Sequence, residues 1–198
     1  METIANSITE YYIRKNIISY DKKDIYTYGF KLIIADIINF SIIILLSLLF
    51  KKLFDGLLFL ITLCGIRQFS GGFHATTFWM CRLSMIITFC CVITISSLLT
   101  NNTNAIVIIT INAVCVTVIG ILSPIKHTNK SLTVKQQQEN RRNAIIISLI
   151  FSIISSVLAI MRISEGVTIS ITLAAVVVLM IIGIAAQRGG NKNVGLAQ

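Results

Sequence analysis

After its first 24 residues, the chain is a succession of six apolar stretches separated by short polar segments. An α-helix needs roughly 20 apolar residues to cross the hydrocarbon core of a bilayer, and five of the stretches come close to that length. The pattern predicts membrane segments at 26–50, 53–66, 82–99, 105–122, 144–161 and 168–186. The stretch at 53–66 is short, so we expect it to tilt, to thin the bilayer or to form a re-entrant element.

The two ends of the chain follow a different pattern. Residues 1–24 carry Ile and Tyr side chains at roughly helical spacing, with charged residues between them. This pattern predicts an amphipathic helix that lies on the membrane surface, with partner binding as the alternative. The stretch has neither an apolar h-region nor a small-residue cleavage site, so the first span is expected to remain in the protein. The polar, glycine-containing tail 187–198 is predicted to be mobile.

Composition supports a membrane protein. Hydrophobic residues make up 55% of the 198 residues and charged residues 13%, about half the charged share of a soluble domain. The mean hydropathy of +0.85 leaves too few polar side chains to cover a soluble surface. We therefore predict an all-α fold. It is a single polytopic helical bundle over residues 1–198, with about six membrane segments and an interfacial N-terminal helix.

The charge balance orients this bundle. The chain has 17 Lys and Arg against 8 Asp and Glu, a net charge of +9. Six spans place both termini, the segment 67–81 and the basic loop 123–143 on one side, and most basic residues outside the spans lie there. The positive-inside rule assigns that side to the cytoplasm; the opposite side holds Lys51, Lys52 and Arg162. No basic stretch lies away from a hydrophobic segment, so nucleic acid is not an expected partner.

Charged residues inside the spans suggest an alternative function. Lys31 can reach the interface by snorkelling, whereas Asp36 is deeper and is expected to face protein rather than lipid. Asp36 is the best feature of a non-enzymatic transporter or exporter of a small peptide. A membrane scaffold that recruits a peptide is a third hypothesis. The other spans carry no ionisable residue near mid-bilayer, and the chain shows no internal repeat, which disfavours a transporter.

The polar interruption Arg-Gln-Phe-Ser-Gly-Gly-Phe-His at 67–74 is the main candidate for chemistry, and Cys81 follows His74 by seven residues. A cysteine peptidase needs a thiol nucleophile and an imidazole that accepts its proton and later returns one to the leaving amine. In a continuous helix the two side chains would share a face but lie ~10 Å apart along the axis. Direct contact therefore requires the helix to begin after His74, with a turn at Gly71 and Gly72 folding the imidazole back.

The same residues also have an ordinary structural interpretation. A cysteine in a membrane helix is commonly a small packing residue, and a histidine at the interface is commonly solvated. The five cysteines are odd in number and form no CxxC, which disfavours a disulfide framework. Two widely spaced histidines and scattered cysteines do not form a metal-ligand set, and no cofactor is expected. The thiols other than Cys81 lie in apolar stretches with no nearby basic partner: Cys64, Cys90, Cys91 and Cys115.

Between positions 67 and 81 the sequence resembles the accessory gene regulator protein B (AgrB) family, the membrane peptidases of Gram-positive quorum sensing. That family has an Arg, a Gly-Gly-x-His and a Cys seven residues after the His, all ahead of a hydrophobic hairpin. It also has a basic loop after a Ser-Pro, found here at Ser123 and Pro124. Where the family often has an acidic residue soon after this proline, the chain has Lys126 and His127.

The resemblance implies a cysteine endopeptidase that cleaves a short AgrD-type precursor peptide. The enzyme would hold the new carboxyl group as a thioester and promote its cyclisation to a thiolactone or lactone signal. Cys81 would be the nucleophile and His74 the general base and acid. The residues expected to shape the site or to donate to the oxyanion are Arg67, Gln68, Ser70, Gly71 and Gly72.

The resemblance also implies a partner and a location. The precursor of this family has an acidic C-terminal tail, which a basic cytoplasmic face would attract, although the positive-inside rule alone also explains each basic residue. The protein would lie among the lipids of the plasma membrane of a Gram-positive bacterium, and a homodimer is an open hypothesis. The basic side chains of this face are Arg67, Arg82, Lys126, Lys130, Lys135, Arg141 and Arg142.

Overall fold

The computed structural model describes residues 2–70, 78–100, 104–125 and 133–194, and for residues 78 and 187–194 it describes the backbone alone. The described residues form seven α-helices and a short 3-10 helix at Tyr20–Lys22, which confirms the all-α prediction. The α-helices are α1 (Glu2–Arg14), α2 (Lys23–Leu49), α3 (Leu53–Ser70), α4 (Phe78–Leu99), α5 (Ala105–Leu122), α6 (Val134–Ile160) and α7 (Ser164–Val194).

Six of these helices are long and apolar enough to cross a membrane. The spans are Tyr20–Leu49, Leu53–Ser70, Trp79–Leu99, Ala105–Leu122, Val134–Ile160 and Ser164–Ala186. Large apolar side chains cover much of the outside of the bundle; Leu45 is 60% exposed and Ile87 is 57% exposed. Hydrocarbon is the favourable environment for such a surface, so the chain is a multi-pass membrane protein.

Five helices are longer than the sequence pattern predicted: α2 and α4 begin at Lys23 and Phe78 instead of at 26 and 82, and α3, α6 and α7 extend further at one end or both. α3 reaches Ser70 rather than Ile66, because Arg and Gln favour helix and their polar groups reach the interface from the last turn. α6 begins at Val134, so residues 134–143 of the predicted basic loop are helical. The backbone N–H of Thr133 there donates to Oε1 of Gln136 at 3.2 Å, half of a capping box. α7 continues to Val194, within the tail that was predicted to be mobile.

The six spans alternate in direction, so the bundle has two distinct ends. The end that carries α3's C-terminus and α4's start is called the motif end, because the 67–81 segment lies there. The opposite end, called the hairpin end, carries the connections α2–α3, α4–α5 and α6–α7. The tight turns after α1, α2 and α6 each contain a non-glycine residue with positive φ: Asn16 (56°), Lys51 (55°) and Arg162 (59°). In each turn the following N–H donates to the carbonyl five residues earlier, the Schellman arrangement.

The N-terminal helix α1 packs antiparallel along the first part of α2. The hydroxyl of Thr27 donates to that of Thr9 at 3.1 Å inside this contact. The Lys31 ammonium pairs with Glu2 and holds the pKa of that carboxyl below its usual value. The amphipathic helix therefore has a protein partner in α2, and its exposed apolar side chains remain free to contact lipid. The further contacts are the stacked rings of Tyr12 and Phe30 and the ion pair between Lys23 and Glu10.

α3 and α7 lie at the centre of the bundle. α3 contacts α2, α4, α6 and α7, while α7 contacts every helix from α3 to α6. The two helices run parallel, since an odd number of spans separates them. Their side chains form nearly half of the buried core, including Phe59, Leu63, Ile66, Leu173, Val176 and Met180.

Small residues allow two pairs of helices to approach closely. A Cβ placed on Gly56 of α3 would lie 1.8 Å from Oγ of Ser47 on α2. A Cβ placed on Gly166 of α7 would lie 2.8 Å from the carbonyl oxygen of Ser155 and 2.8 Å from the backbone nitrogen of Ala159, both on α6. The Ser155 hydroxyl also donates to the carbonyl of Gly166 at 2.7 Å. Glycine is thus required at position 166 by a neighbouring backbone, which is the usual basis of close packing between membrane helices.

The hairpin end contains a network of polar side chains. Thr168 donates to Oδ1 of Asp55 at 2.5 Å and is 2.7 Å from the hydroxyl of Ser96. The Lys52 ammonium donates to Ser97 at 2.7 Å and lies 3.9 Å from Oδ2 of Asp55. The charge of Lys52 is therefore matched by an acid within the fold. This match gives a physical reason why that lysine is tolerated on the side that the positive-inside rule leaves poor in cations.

Gly166→Ala is expected to destabilise the protein by about 2 kcal/mol, because the new methyl group would press on backbone atoms of α6 that cannot move independently. The matched control is Gly29→Ala on α2, where a Cβ meets nothing within 4 Å. That change should be neutral or stabilising by up to ~1 kcal/mol. Thermal unfolding of the purified variants in detergent measures both effects. Equal stability of the two variants would show that the α6–α7 contact is looser than described.

Candidate active site

Cys81 lies near the start of α4 at the motif end and is half-buried. The rings of Phe59 on α3 and Phe89 on α4 are in edge-to-face contact, with centroids 5.4 Å apart, and this contact aligns the two antiparallel helices. Eight residues further toward the motif end, α3 carries Arg67 and α4 carries Cys81. Both helices rise 1.5 Å per residue, so the two residues lie at the same level. The arginine and the cysteine of the sequence motif therefore share one level of the bundle.

Asp36 of α2 lies at this level too. The close approach of Ser47 and Gly56 aligns α2 with α3. Eleven residues further toward the motif end, α2 carries Asp36 and α3 carries Arg67. Both residues lie within electrostatic range of the Cys64 thiol on α3. Asp36 is exposed in the single chain, so the expectation that it faces protein is wrong. The physical reason is that α2 lies at the edge of the bundle, and none of the described helices covers its surface around Asp36.

Arg82 is held between α4 and α2. Its Nε donates to Oδ1 of the buried Asn39 in a long hydrogen bond of 3.4 Å. Its guanidinium carbon lies 4.9 Å from the centroid of the Trp79 ring, a cation–π contact. Sequence reasoning missed Asn39 and Trp79. The signals were a polar residue three positions after Asp36 in an apolar span, and the three-residue spacing that places Trp79 and Arg82 side by side on a helix.

The last turn of α3 presents one predicted oxyanion donor and buries the other. Gln68 is exposed, whereas Ser70 is fully buried. The carbonyl of Ser70 accepts the backbone N–H of Ile125 at 3.1 Å, which ties the segment after α5 to the end of α3. This bond brings the 67–81 segment and the start of the basic segment together at the motif end. Of the two side chains, Gln68 is the one open to a substrate.

The other members of the motif lie outside the described residues. Gly71, Gly72 and His74 belong to the segment between α3 and α4, and Lys126 and Lys130 to the segment between α5 and α6. Contact between the His74 imidazole and Sγ of Cys81 therefore stays a prediction.

The basic residues of α6 have different roles. Nε of Arg141 donates to the carbonyl of Gly120 at 2.9 Å. This carbonyl lies in the last turn of α5, where no helical N–H can reach it, so Arg141 caps α5. Lys135 and Arg142 are exposed and form no ion pair or hydrogen bond with any residue in the described ranges. They are the cations of α6 that remain available to a substrate.

The remaining cysteines differ from Cys81 in their surroundings. Cys115 is buried in the core, Cys90 packs against the core, and Cys91 is exposed on the outer surface of α4. Cys64 corrects a prediction, because Arg67 does lie within electrostatic range of it. Cys64 and Arg67 are spaced i,i+3 on one helix face. The predicted membrane segment 53–66 ended one residue before Arg67, so the sequence pattern did not place the two residues on one helix. Cys64 lies on α3 within about one turn of the level of Arg67 and Asp36, whereas Cys81 lies at that level on α4.

The described residues contain no group of three or more His, Cys, Asp or Glu side chains arranged to hold a metal ion. The chemistry that they do provide is a thiol near a helix start, two cationic side chains at or beside its level and an exposed carboxylate. Such a set is suited to nucleophilic attack by sulfur on an acyl group and to binding of an acidic substrate.

Comparisons with known proteins agree with the motif. The model of the family described as Accessory gene regulator B matches residues 2–184. Protein FsrB of Enterococcus faecalis (strain ATCC 47077 / OG1RF) is 33% identical over 82 residues, which cover 38% of this chain and 34% of FsrB. The match therefore spans about a third of the length of that curated relative. No solved structure matches the chain.

Arg141→Gln is expected to lower stability by about 0.5–1 kcal/mol, since the charge-assisted cap on the Gly120 carbonyl is lost. Arg142→Gln is the control, because the Arg142 side chain, next to Arg141 in sequence, makes no such hydrogen bond with any described residue. Thermal unfolding in detergent should show a decrease of roughly 2 °C for the first variant and no change for the second. Equal midpoints would remove the capping role of Arg141.

Proposed function

The chain belongs to the accessory gene regulator B family, and we propose that it is a membrane-embedded cysteine endopeptidase that matures a quorum-sensing peptide. Its substrate is a short AgrD-type precursor with an acidic C-terminal tail. The observation that carries the proposal is the position of Cys81. This thiol is half-buried at the motif end, level with Arg67, and follows the histidine of the Gly-Gly-x-His segment by seven residues.

The reaction begins when His74 accepts the proton of the Cys81 thiol. The thiolate attacks the carbonyl carbon of the scissile peptide bond, and the carbonyl oxygen becomes an oxyanion. When the C–N bond breaks, His74 returns the proton to the leaving amine, which departs with the acidic tail. The remaining fragment is then bound to Cys81 as a thioester. Gln68, exposed on the last turn of α3, is placed to donate to the oxyanion, and Ser70 is too buried for this role.

Release of the product is a second acyl transfer. A thiol or hydroxyl within the peptide attacks the thioester carbonyl, the C–S bond to Cys81 breaks, and a thiolactone or lactone ring closes. The thioester retains much of the free energy of the amide, so ring closure needs no ATP. Water must be kept from the acyl-enzyme for this step to dominate, and a thiol at the boundary of the hydrocarbon meets that requirement.

Electrostatics orient the substrate at the motif end, which we place at the cytoplasmic face. Lys135 and Arg142 are exposed cations on the first turns of α6, which packs against α5 and α3. The Ser70–Ile125 hydrogen bond holds the segment after α5 beside the end of α3. An acidic tail bound there leaves the scissile bond near α4. Arg82 contributes positive charge to the same end, although Asn39 and Trp79 restrict its guanidinium.

Cys81→Ala and His74→Ala are each expected to lower precursor cleavage by about 10³-fold or more, because the nucleophile and its base act as a unit. Cys91→Ala, on the exposed outer surface of α4, is the matched control and should retain activity. Cleavage of a synthetic precursor by protein in proteoliposomes can be followed by mass spectrometry, which also detects the thioester. If Cys81→Ala still cleaves the precursor, Cys81 is not the nucleophile. If the wild type and Cys81→Ala both export the peptide and neither cleaves it, the transporter hypothesis replaces the peptidase.

Lys135→Gln combined with Arg142→Gln is expected to raise KM for the precursor about threefold to tenfold while kcat stays unchanged, since exposed charges contribute to binding and not to chemistry. Added salt should reduce the difference by screening the tail. Lys51→Gln at the hairpin end is the control with the same loss of charge per site. A reduction in kcat instead of the rise in KM would show that these cations have a different role.

A further inference from the structure

A cavity of about 610 Å³ opens at the hairpin end, between the α4–α5 and α6–α7 connections. It lies at the end of the spans opposite Cys81, so it forms no part of the proposed peptidase site. Its volume is within the range of small-ligand sites. The residues that line it are Thr100, Asn104, Ala105, Ile108, Ala159, Ile160, Arg162, Ile163, Ser164 and Val167.

Arg162 is the charged residue among those lining the cavity. Its backbone is fixed in the turn after α6, where its N–H donates to Ala159 at 3.1 Å and the next N–H donates to Leu158 at 2.9 Å. Its side chain is exposed, and the guanidinium forms no ion pair or hydrogen bond with any residue that the structure describes. The nearest acid in sequence, Glu165, does not line the cavity. A guanidinium held at the mouth of a cavity without an internal partner is suited to bind an anion.

Two helix starts add further donors. Asn104 is the N-cap residue of α5, and Ala105 and Ser164 begin α5 and α7; all three residues line the cavity. The first N–H groups of a helix have no acceptor four residues earlier within the helix. Within the described residues the Asn104 side chain makes no capping hydrogen bond. The Ser164 hydroxyl, in contrast, is already used by Glu165 at 2.8 Å. The donors that face the cavity thus match the oxygens of a phosphate.

Two buried polar atoms without partners in the described residues lie one helical turn from residues that line the cavity, and they do not line it themselves. Asn112 follows the lining residue Ile108 by four positions, and Ser170 follows Val167 by three, so each lies one turn deeper on the same helix face. Both are fully buried, and within the described ranges neither Oδ1 of Asn112 nor Oγ of Ser170 has a hydrogen-bond partner. Nδ2 of Asn112 is occupied by Ser155 at 3.0 Å. The open atom of Asn112 is an acceptor, so it requires a donor such as a hydroxyl or a water.

Exposed apolar side chains border the cavity. Ile160 lines it, and Ile106 and Met161 neighbour lining residues in sequence; the three are 63%, 73% and 65% exposed. Such a border suits acyl chains and does not suit a soluble anion alone.

We propose that this cavity binds the headgroup of an anionic phospholipid, specifically a phosphoglycerol headgroup. Arg162 and the starts of α5 and α7 hold the phosphate, the glycerol hydroxyls supply donors toward the buried Asn112, and the acyl chains lie along the apolar border. A lipid bound there links the α4–α5 hairpin to the α6–α7 hairpin. This site is independent of the proposed peptidase activity.

The test uses thermal unfolding of the full chain in a neutral detergent with added phosphatidylglycerol, phosphatidylcholine or inorganic phosphate. Phosphatidylglycerol should raise the Tm of the wild type by ~5 °C near saturation, and the other two should not. Arg162→Asn should lose this response. It should keep or raise the Tm without lipid, because asparagine accepts the positive φ at that position. Arg142→Gln, which removes a similar exposed charge at the motif end, should respond as the wild type does.

Native mass spectrometry provides a second measurement that does not depend on unfolding. The wild type and Arg142→Gln should retain phosphatidylglycerol, and Arg162→Asn should lose it. Equal stabilisation by phosphatidylcholine, or an unchanged response of Arg162→Asn in both measurements, overturns the proposal. Stabilisation by inorganic phosphate alone would mean an anion site without lipid specificity. A shift caused by the precursor or its product, and not by phosphatidylglycerol, would assign the cavity to a peptide and would also overturn the proposal.

Discussion

The hydrocarbon core of the membrane cannot satisfy a free backbone N–H or C=O, so every crossing segment of this chain must be a helix. The same constraint keeps most ionisable groups near the helix ends, where water or headgroups can reach them. Arg67, Gln68 and Cys81 lie at one end of the bundle, and Lys52, Asp55 and Arg162 at the other. The exposed Asp36, level with Arg67, belongs to the first group. The two ends are therefore separate chemical environments, joined by an apolar bundle with a few buried polar contacts.

The relative heights of these groups depend on close helix packing. Water expulsion does not drive association inside a bilayer, so the helices rely on contacts between small residues and on hydrogen bonds between helices. Gly56 against Ser47 aligns α2 with α3, and Phe59 against Phe89 aligns α3 with α4. As a result, Asp36, Arg67 and Cys81 come to one level although they lie far apart in sequence. A change in any of these contacts would shift Cys81 relative to Arg67 and Asp36.

The basic residues do not form one uniform surface. Arg141 caps the C-terminus of α5, and Asn39 and Trp79 hold the Arg82 guanidinium. Lys135 and Arg142 form no ion pair or hydrogen bond within the described residues. The positive-inside rule explains why cations collect at this end, but it does not distinguish a capping arginine from one that binds an acidic tail. Lys52 shows the reverse case, since a cation on the opposite side is tolerated because Asp55 lies beside it.

Sequence alone determined the fold class, the six spans and the N-terminal helix, because hydrophobic length and periodicity report directly on the solvent that each segment must face. It also indicated Cys81 and the Gly-Gly-x-His segment, since a polar interruption in so apolar a chain is conspicuous. The end of α3 at Ser70, the start of α6 at Val134 and the extent of α7 were not evident, because polar residues at a membrane boundary are compatible with both helix and loop. Tertiary structure alone decided that Asp36 is exposed, that Asn39 and Trp79 hold Arg82, and that a polar cavity opens around Arg162. These features arise from contacts between helices distant in sequence, and no local pattern of residues encodes the height or rotation at which two helices meet.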